Sequence, residues 1–352
     1  CHDRILAEVS ALKAQPDELG RHMRSLRISV TDRCDLRCAY CMPSKVYQWL
    51  PKRAILSFEE ILRLVDAFVA QGVQRVRLTG GEPLLRRGLV DLVQALASRP
   101  GVKDLALTTN GTQLARWARP LRDAGLARVT VSLDSLRPSR HAALTRRAVL
   151  EDVIAGIRAA RDVGFEQLKL NTVVLRDVNE DEIADIVDFA GRMNAQARFI
   201  EYMDVGGATG WSTEHVVTRS EILQQLEANC GPLISGEERG VAPAELFTMT
   251  DGQCVGVIAS TTQPFCRDCD RSRLPADGRW YLCLYDGNGT DLRKMLRDGA
   301  DTTKLSTCIG EEWRKRQNRG AEERLKVSDR SALYQIEELR RDLRLEMHTR
   351  GG

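Results

Sequence analysis

Six of the ten cysteines form two groups of three, and each group lacks the fourth cysteine of a closed metal site. The groups are Cys34-x3-Cys38-x2-Cys41 and Cys266-x2-Cys269-x13-Cys283. Thiolates at such spacing bind iron–sulfur clusters or zinc, and iron–sulfur clusters usually take four of them. The pattern therefore predicts two metal centres, each with one coordination position open for chemistry. That favours an enzyme over a scaffold stapled by disulfides.

Composition excludes several other classes of protein. A net charge of +3 over 352 residues produces no field that would attract nucleic acid, and aromatic residues for base stacking are sparse. Ten cysteines are too dilute for a secreted disulfide framework. Charges interrupt the first twenty residues, CHDRILAEVSALKAQPDELG, and no apolar run is long enough to span a bilayer. We expect a cytoplasmic protein with neither a nucleic-acid nor a membrane partner.

The chain from residue 25 to residue 202 alternates short β-rich runs with amphipathic ones, which is typical of a parallel sheet. The predicted strands are 26–30, 73–78, 104–107, 128–132, 167–174 and 197–201. The predicted helices are 58–70, 88–97, 113–123, 151–163 and 180–191. Because a closed barrel has eight strands, six favour an α/β fold with a partial, open βα barrel.

Beyond residue 202 the pattern changes to a helix at 218–228 and two hairpins. Strands 247–250 and 255–259 flank Asp251-Gly252, and strands 273–275 and 280–284 flank Asp277-Gly278. The second cysteine group thus lies in a smaller C-terminal α+β region with antiparallel strands. We expect one domain at 1–215 and another at 216–352. The basic run 314–319 is interpreted as a solvated helix face, and 137–147 as a surface helix away from the site.

The first cysteine group directly follows a predicted strand, so it lies on a βα loop at the ligand-binding end of a parallel sheet. A zinc knuckle or buried free cysteines are the structural alternatives, but no histidine follows before His141. A c-type haem would need C-x-x-C-H, and Met42 occupies the histidine position. An iron–sulfur cluster explains the group better.

Two motifs here resemble the radical S-adenosylmethionine (SAM) enzymes. Tyr40 precedes the third cysteine, and the next predicted strand ends in TGGEP. The resemblance implies that three thiolates hold a four-iron cluster whose fourth iron chelates SAM, the source of a 5′-deoxyadenosyl radical. It assigns the SAM contacts to Tyr40, Gly81, Ser132 and Met203. The absence of a Cβ at Gly80 and Gly81 is expected to permit close approach of a ligand.

The second cysteine group admits a zinc ribbon as an alternative. No histidine lies between His215 and His348, and Asp268 and Asp270 are poor partners for a soft thiolate site. A second cluster with an open iron is the better interpretation.

Nearly the whole chain from Arg24 resembles the GTP 3′,8-cyclase family of molybdenum cofactor biosynthesis. The resemblance is carried by SLRISVTDRCDLRCAYCMP, RVRLTGGEPLLR, LTTNG, VSLDSL, LKLNTVVLRDVNEDEI, RFIEYMDVG, FCRDCDRSRLPADGRWYLCL and MHTRGG. It implies two [4Fe-4S] clusters, SAM, and GTP as substrate. The implied reaction removes hydrogen from ribose C3′ and joins C3′ to purine C8, giving (8S)-3′,8-cyclo-7,8-dihydroguanosine 5′-triphosphate. The open iron of the second cluster is expected to bind guanine.

The triphosphate must meet side-chain cations, because the chain has no G-x-x-x-x-G-K-[ST] loop. The family pattern assigns GTP contacts to Arg27, Arg77, Thr108, Lys169, Arg271 and Arg273, and less firmly to Arg198. It assigns catalytic roles to Arg27, Arg271 and Arg273. The alternative for Arg77 and Lys169 is an internal salt bridge. The terminal Gly351-Gly352 is expected to enter the active site.

Other partners and other functions stay open at this point. We expect an external electron donor and transfer of the product to the next enzyme of the pathway, and a homodimer is left open. The second candidate function is a radical SAM peptide-modifying enzyme with an auxiliary cluster. A third, an electron carrier or RNA-binding cluster protein, would leave both open irons unexplained.

Overall fold

The structure, a computed structural model, describes residues 14–44, 47–165, 167–236 and 239–350. Its strands in chain order, β1 to β12, are Ser25–Ser29, Arg75–Thr79, Asp104–Thr109, Arg128–Ser132, Leu168–Val174, Ala195–Glu201, Leu233–Ser235, Glu245–Met249, Cys254–Ile258, Arg271–Leu274, Arg279–Trp280 and Thr290–Asp291. Its helices, α1 to α11, are Phe58–Ala70, Leu89–Ala97, Leu114–Asp123, Pro138–Thr145, Leu150–Asp162, Ile183–Arg192, Arg219–Cys230, Leu292–Arg297, Thr302–Arg314, Gly320–Arg324 and Ile336–Arg341.

Ten strands form one sheet in the order β10-β1-β2-β3-β4-β5-β6-β9-β8-β7. All neighbours from β10 to β9 are parallel, and β9-β8-β7 are antiparallel. The two ends of the sheet do not pair with each other, so the barrel stays open. The α/β fold with a partial barrel and antiparallel C-terminal strands is therefore confirmed.

Within the described residues the parallel part has eight strands, not the six expected. The sequence pattern predicts β9 and β10 only as members of C-terminal hairpins, whereas β9 also pairs with β6 and β10 pairs with β1. The reason is that β1 and β6 are the edges of the six-stranded core and have unpaired backbone groups to offer. The expected division into domains 1–215 and 216–352 remains a prediction. Strands from both sides of this boundary share the one sheet.

The predicted helices are confirmed to within a few residues. The capping box at the start of α1 is present: the Ser57 hydroxyl accepts from the Glu60 amide, and the Glu60 carboxylate accepts from the Ser57 amide. The hairpin at Asp251-Gly252 is confirmed as the β8–β9 pair. The hairpin at 277–278 is reduced to one bridge, in which Arg273 and Tyr281 exchange backbone hydrogen bonds of 2.9 and 2.8 Å.

The core lies between the sheet and the helices that cover its outer face. Leu26, Ile28, Val76 and Leu78 point into it from β1 and β2, and Phe68 of α1 meets Trp280 edge-on. Alternate residues of the same strands, including Arg27 and Arg77, point to the opposite face. That face is where the cavity lies. None of the helices within the described ranges is long and apolar enough to cross a membrane.

Candidate functional site

Both cysteine groups line one cavity of about 350 Å³ on the inner face of the sheet. Cys34, Cys38 and Cys41 enter from the loop after β1. The second group surrounds the neighbouring strand β10: Cys266 lies in a 3₁₀ turn, Cys269 precedes β10, and Cys283 follows β11. The parallel pairing of β1 with β10 brings the two groups together across the long sequence interval. Two centres can therefore face one cavity.

Most of the residues assigned by resemblance line the same cavity. All four SAM residues do so: Tyr40, Gly81, Ser132 and Met203. Of the residues assigned to GTP, the lining includes Arg27, Arg77, Thr108, Arg271 and Arg273, and also Arg198. Lys169 is buried but is not part of this lining. Gly351-Gly352 lies outside the described residues, which end at Arg350, whose carbonyl oxygen accepts from Arg273 at 3.2 Å.

The two glycines of TGGEP line the cavity and pack directly against the backbone of the cysteine loop. A Cβ on Gly80 would lie 2.5 Å from the Thr31 carbonyl oxygen. A Cβ on Gly81 would overlap the Arg33 carbonyl and lie 2.7 Å from that of Asp32. The backbones run side by side, with the Gly81 amide donating to Thr31 and the Glu82 amide to Arg33. The backbone of the cysteine loop therefore approaches the two glycines closely. This contact fixes where the first cysteine group begins.

Alanine at Gly81 is expected to lower the free energy of unfolding by about 1–3 kcal/mol, because the added methyl group meets backbone that cannot rotate away. Chemical denaturation midpoints measure the change. Gly210→Ala is the matched control, since a Cβ there meets nothing within 4 Å. Equal stability of the two variants would contradict this account.

The sequence predicts a surface helix away from the site at 137–147. The helix forms, but it contacts the site. The last carbonyls of α4 accept hydrogen bonds from the cysteine loop, Leu144 from the Ala39 amide at 3.1 Å and Thr145 from the Arg37 amide at 3.0 Å. The unpaired carbonyls of a helix C-terminus provide these acceptors. The helix thus supports the backbone between Cys34 and Cys41.

Buried carboxylates that the sequence analysis passed over order the first group. Glu82 accepts from the Thr109 hydroxyl and the Asn110 amide, both at 2.7 Å, and burial raises its pKa to about 7. Asp134 accepts from the Tyr40 hydroxyl at 2.5 Å, and burial raises its pKa to about 6. Glu82 belongs to the motif TGGEP and Asp134 to the motif VSLDSL. Membership of these motifs was the signal in the sequence that could have pointed to them.

Asp204, which follows Met203, links the two halves of the site. Its fully buried carboxylate accepts from the Arg324 and Arg330 guanidinium groups at 2.7 and 2.8 Å and from the Tyr285 hydroxyl at 3.0 Å. Tyr285 lies two residues after Cys283. The Met203 loop and the second cysteine group are therefore held by one buried ion network.

The inner face of the sheet beneath the cavity is strongly cationic. Burial lowers the pKa of Arg77, Arg198 and Arg273 to about 10, and neighbouring guanidinium groups add to the effect. Arg77 donates to the Thr108 and Thr130 hydroxyls at 3.2 and 3.1 Å. The pKa of Lys169 falls to about 7 through burial and then through Arg198, Arg128 and Arg77. Cations that depress one another's pKa in a buried site are suited to an anionic ligand.

The basic run 314–319 is not a uniformly solvated face. Arg316 is buried, donates to the Cys269 carbonyl at 2.7 Å and lies 3.5 Å from the Cys269 sulfur. Burial would raise the pKa of the Cys269 thiol, but Arg271 and Arg316 outweigh it and lower that pKa to about 6. The sequence interpretation failed because helix α9 ends at Arg314, so helical periodicity no longer governs residue 316.

The donor sets fit iron–sulfur clusters. Burial raises the pKa of the Cys34 thiol to about 12 and that of Cys38 well above its usual value, and metal coordination deprotonates such thiols outright. Two buried donors near the second group, Arg21 Nη2 and Arg316 Nε, have no hydrogen-bond partner in the described part of the chain. In the same part, no three Cys, His, Asp or Glu side chains converge on one metal ion. A four-iron cluster binds one thiolate per iron and does not require that convergence.

Comparison with known proteins identifies two family regions in this chain. Residues 28–190 match the Radical SAM superfamily, and residues 195–322 match Molybdenum Cofactor Synthesis C. The chain is 48% identical to GTP 3′,8-cyclase 3 of Mycobacterium bovis over 96% of its length and 90% of that protein. It is 47% identical to GTP 3′,8-cyclase 1 of Mycobacterium tuberculosis, over 96% and 95%. With GTP 3′,8-cyclase of Xanthomonas campestris the identity is 43%, over 93% and 97%.

Solved structures add evidence on the fold alone. Streptococcus suis SuiB bound to S-adenosylmethionine superimposes with a TM-score of 0.54 over 89% of this chain and 76% of SuiB, at 16% identity. An identity this low carries no argument about substrate.

Proposed function

The chain belongs to the GTP 3′,8-cyclase family of radical SAM enzymes, and from this premise we propose how its cavity carries out the family reaction. It is an enzyme of the first step of molybdenum cofactor biosynthesis, with GTP as substrate and with SAM and [4Fe-4S] clusters as cofactors. The observation that carries the assignment of roles is that both incomplete cysteine groups line one cavity above buried cations.

Cys34, Cys38 and Cys41 hold the SAM-binding cluster, and Cys266, Cys269 and Cys283 hold the second cluster. When bound, the first cluster and SAM supply a 5′-deoxyadenosyl radical that takes hydrogen from ribose C3′ of GTP. Tyr40, Gly81, Ser132 and Met203 orient SAM in the cavity. Asp134 holds the Tyr40 hydroxyl, so the ring cannot turn away from its place.

Arg27, Arg77, Arg271 and Arg273 bind the triphosphate, whose charge offsets their mutual repulsion. Thr108 is held by Arg77 and presents its hydroxyl to the same ligand. Arg198 and Lys169 extend the positive field from below. Confinement between the two cysteine groups fixes the distance between ribose and SAM, and such positioning can supply about 7–11 kcal/mol of the barrier. Three of these arginines, Arg27, Arg271 and Arg273, are also the candidates for catalytic roles.

The remaining partners belong to this proposal. An external donor supplies electrons, since the described residues offer no third group of cysteines. The product passes to the next enzyme of the pathway. Six thiols that must stay reduced favour the cytoplasm. A homodimer remains a prediction, which light scattering of the reconstituted enzyme tests.

The experiment is anaerobic turnover with reconstituted clusters, SAM, a reductant and GTP deuterated at C3′. We expect deuterium in 5′-deoxyadenosine and a cyclised guanine product. Unlabelled GTP and a reaction without GTP are the controls. SAM cleavage with a peptide and none with GTP would overturn the proposal and favour the second candidate function, a peptide-modifying enzyme. None of the observations on the described residues supports that second function.

The lowered pKa of Lys169 leads us to expect that GTP binding depends on pH. Its depressed pKa of about 7 means that above this pH the free enzyme holds a neutral amine. The triphosphate stabilises the ammonium form and raises the pKa, so binding takes up a proton and affinity falls as pH rises above about 7. Calorimetry in buffers of different ionisation enthalpy measures this uptake. Lys169→Met is expected to abolish it, and an unchanged uptake in that variant would exclude Lys169 as its source.

A further inference from the structure

A buried group of three charged residues, Asp17, Arg21 and Arg316, lies against the second cysteine group; we name it the Asp17 clamp. The Asp17 carboxylate accepts from the Arg21 Nε at 2.6 Å and lies 3.7 Å from the Arg316 Nη1. The Asp17 side chain is 0% exposed and that of Arg316 is 1% exposed. Trp313 fixes both arginines, because its indole N–H donates to the Arg21 carbonyl and its ring lies under the Arg316 guanidinium.

Each arginine of the Asp17 clamp holds one cysteine of the C-x2-C pair. Arg21 Nη1 donates to the Cys266 carbonyl at 2.8 Å, and Arg316 Nη1 donates to the Cys269 carbonyl at 2.7 Å. Arg316 Nη2 also donates to the Cys269 sulfur at 3.5 Å. The planar fork of one guanidinium thus reaches the backbone and the thiolate of the same residue. The clamp controls both the position of Cys269 and the electron density on its sulfur.

The charges of the clamp do not balance by themselves. Two guanidinium groups face one carboxylate, and a buried charge without a partner is costly. The Cys269 sulfur, 3.5 Å from the Arg316 Nη2, supplies a further negative charge when it is the thiolate that binds iron. Hydrogen bonds to cluster sulfurs raise the reduction potential, because they stabilise the more negative reduced state.

We propose that the Asp17 clamp is a positioning device for the second cluster, in which Arg316 raises the reduction potential of that cluster through the Cys269 sulfur. The proposal rests on the second cluster of the proposed function. Arg316 acts through Cys269 and touches no reacting atom, so it is a positioning residue. Among the cysteines of the two groups in the described residues, Arg21 and Arg316 hydrogen-bond to Cys266 and Cys269 and to none of the first group.

A redox titration of the reconstituted full-length enzyme, followed by electron paramagnetic resonance, tests the proposal. The wave that is absent from Cys283→Ser belongs to the second cluster. We expect Arg316→Gln to move this wave to more negative potential and to leave the other wave unchanged. Arg316→Lys keeps the buried charge but loses the fork, so its shift has the same sign and is smaller. Exposed Arg314 lies two residues away, and Arg314→Gln is the matched control with no shift.

The outcomes separate the clamp from the proposed function. If Arg316→Gln binds the second cluster at wild-type potential, or if both waves move together, the role of the clamp is wrong. If Arg316→Gln fails to fold by circular dichroism, Arg316→Lys decides by the same criterion. If serine at all three of Cys266, Cys269 and Cys283 leaves the iron content unchanged, the proposed function itself loses its second cluster.

Discussion

Serine at Cys38 is expected to abolish the formation of 5′-deoxyadenosine and with it all cyclised product. Cys38 is the central cysteine of the first group, and its thiol is buried at the cavity beside Cys41 and Asp134. A cluster left with two thiolates from one loop has lost the arrangement that presents its open iron to SAM. The measurement is single-turnover chromatography of 5′-deoxyadenosine under anaerobic conditions, with iron content determined on the same sample.

Two comparisons make this result specific to the first cluster. Cys308→Ser, on helix α9 and outside both groups, should keep wild-type turnover. In Cys38→Ser the iron of the second cluster should remain, so about half of the iron is retained. SAM cleavage at more than background rate in this variant would show that Cys38 is not a ligand of the cluster that binds SAM.

Serine at Cys283 is expected to separate the two ligands of the cavity. The variant should bind SAM with wild-type affinity, because the first group and the four SAM residues are untouched. GTP affinity should fall at least about tenfold, which is about 1.4 kcal/mol, and product should be lost. The physical reason is that, if the open iron of the second cluster binds guanine as the family resemblance implies, guanine loses this anchor and the ribose is no longer held at the reacting distance.

Equilibrium binding of each ligand measures this separation directly. Cys230→Ser is the matched control, since Cys230 ends helix α7 outside the cavity lining. Equal losses of SAM and GTP affinity in Cys283→Ser would contradict separate roles for the two groups. A loss confined to SAM would invert them.

Local features of this site could be predicted from the sequence because their causes are local. The β1 strand and the cysteine loop after it follow from a short β-rich run that ends in TDRC, and the capped helix α1 follows from Ser57 and Glu60. The six core strands follow from alternating short apolar runs. Arg271 and Arg273 share a face because strand residues alternate, and both line the cavity as expected.

Other features could not be predicted, because their causes lie far apart in the chain. The sequence offered a ligand as the reason for glycine at position 81, and the structure adds a second reason, since the Arg33 carbonyl leaves no room for a side chain there. The stretch 137–147 looked like a surface helix away from the site, whereas the last carbonyls of the helix it forms hold the cysteine loop. Arg316 looked solvated among other cations, whereas a bend after helix α9 turns it onto Cys269.

The sequence by itself determined the candidate ligands: six cysteines in two groups of three, the motifs that carry the family resemblance, and the strand end on which the first group lies. Only the tertiary structure decided that both groups face one cavity, and that Asp204 and the Asp17 clamp hold them there. The physical reason is the range of each cause. Spacing and alternation act over a few residues, whereas the meeting of the two groups depends on β10 adding to the free edge of β1, a pairing that no local pattern specifies.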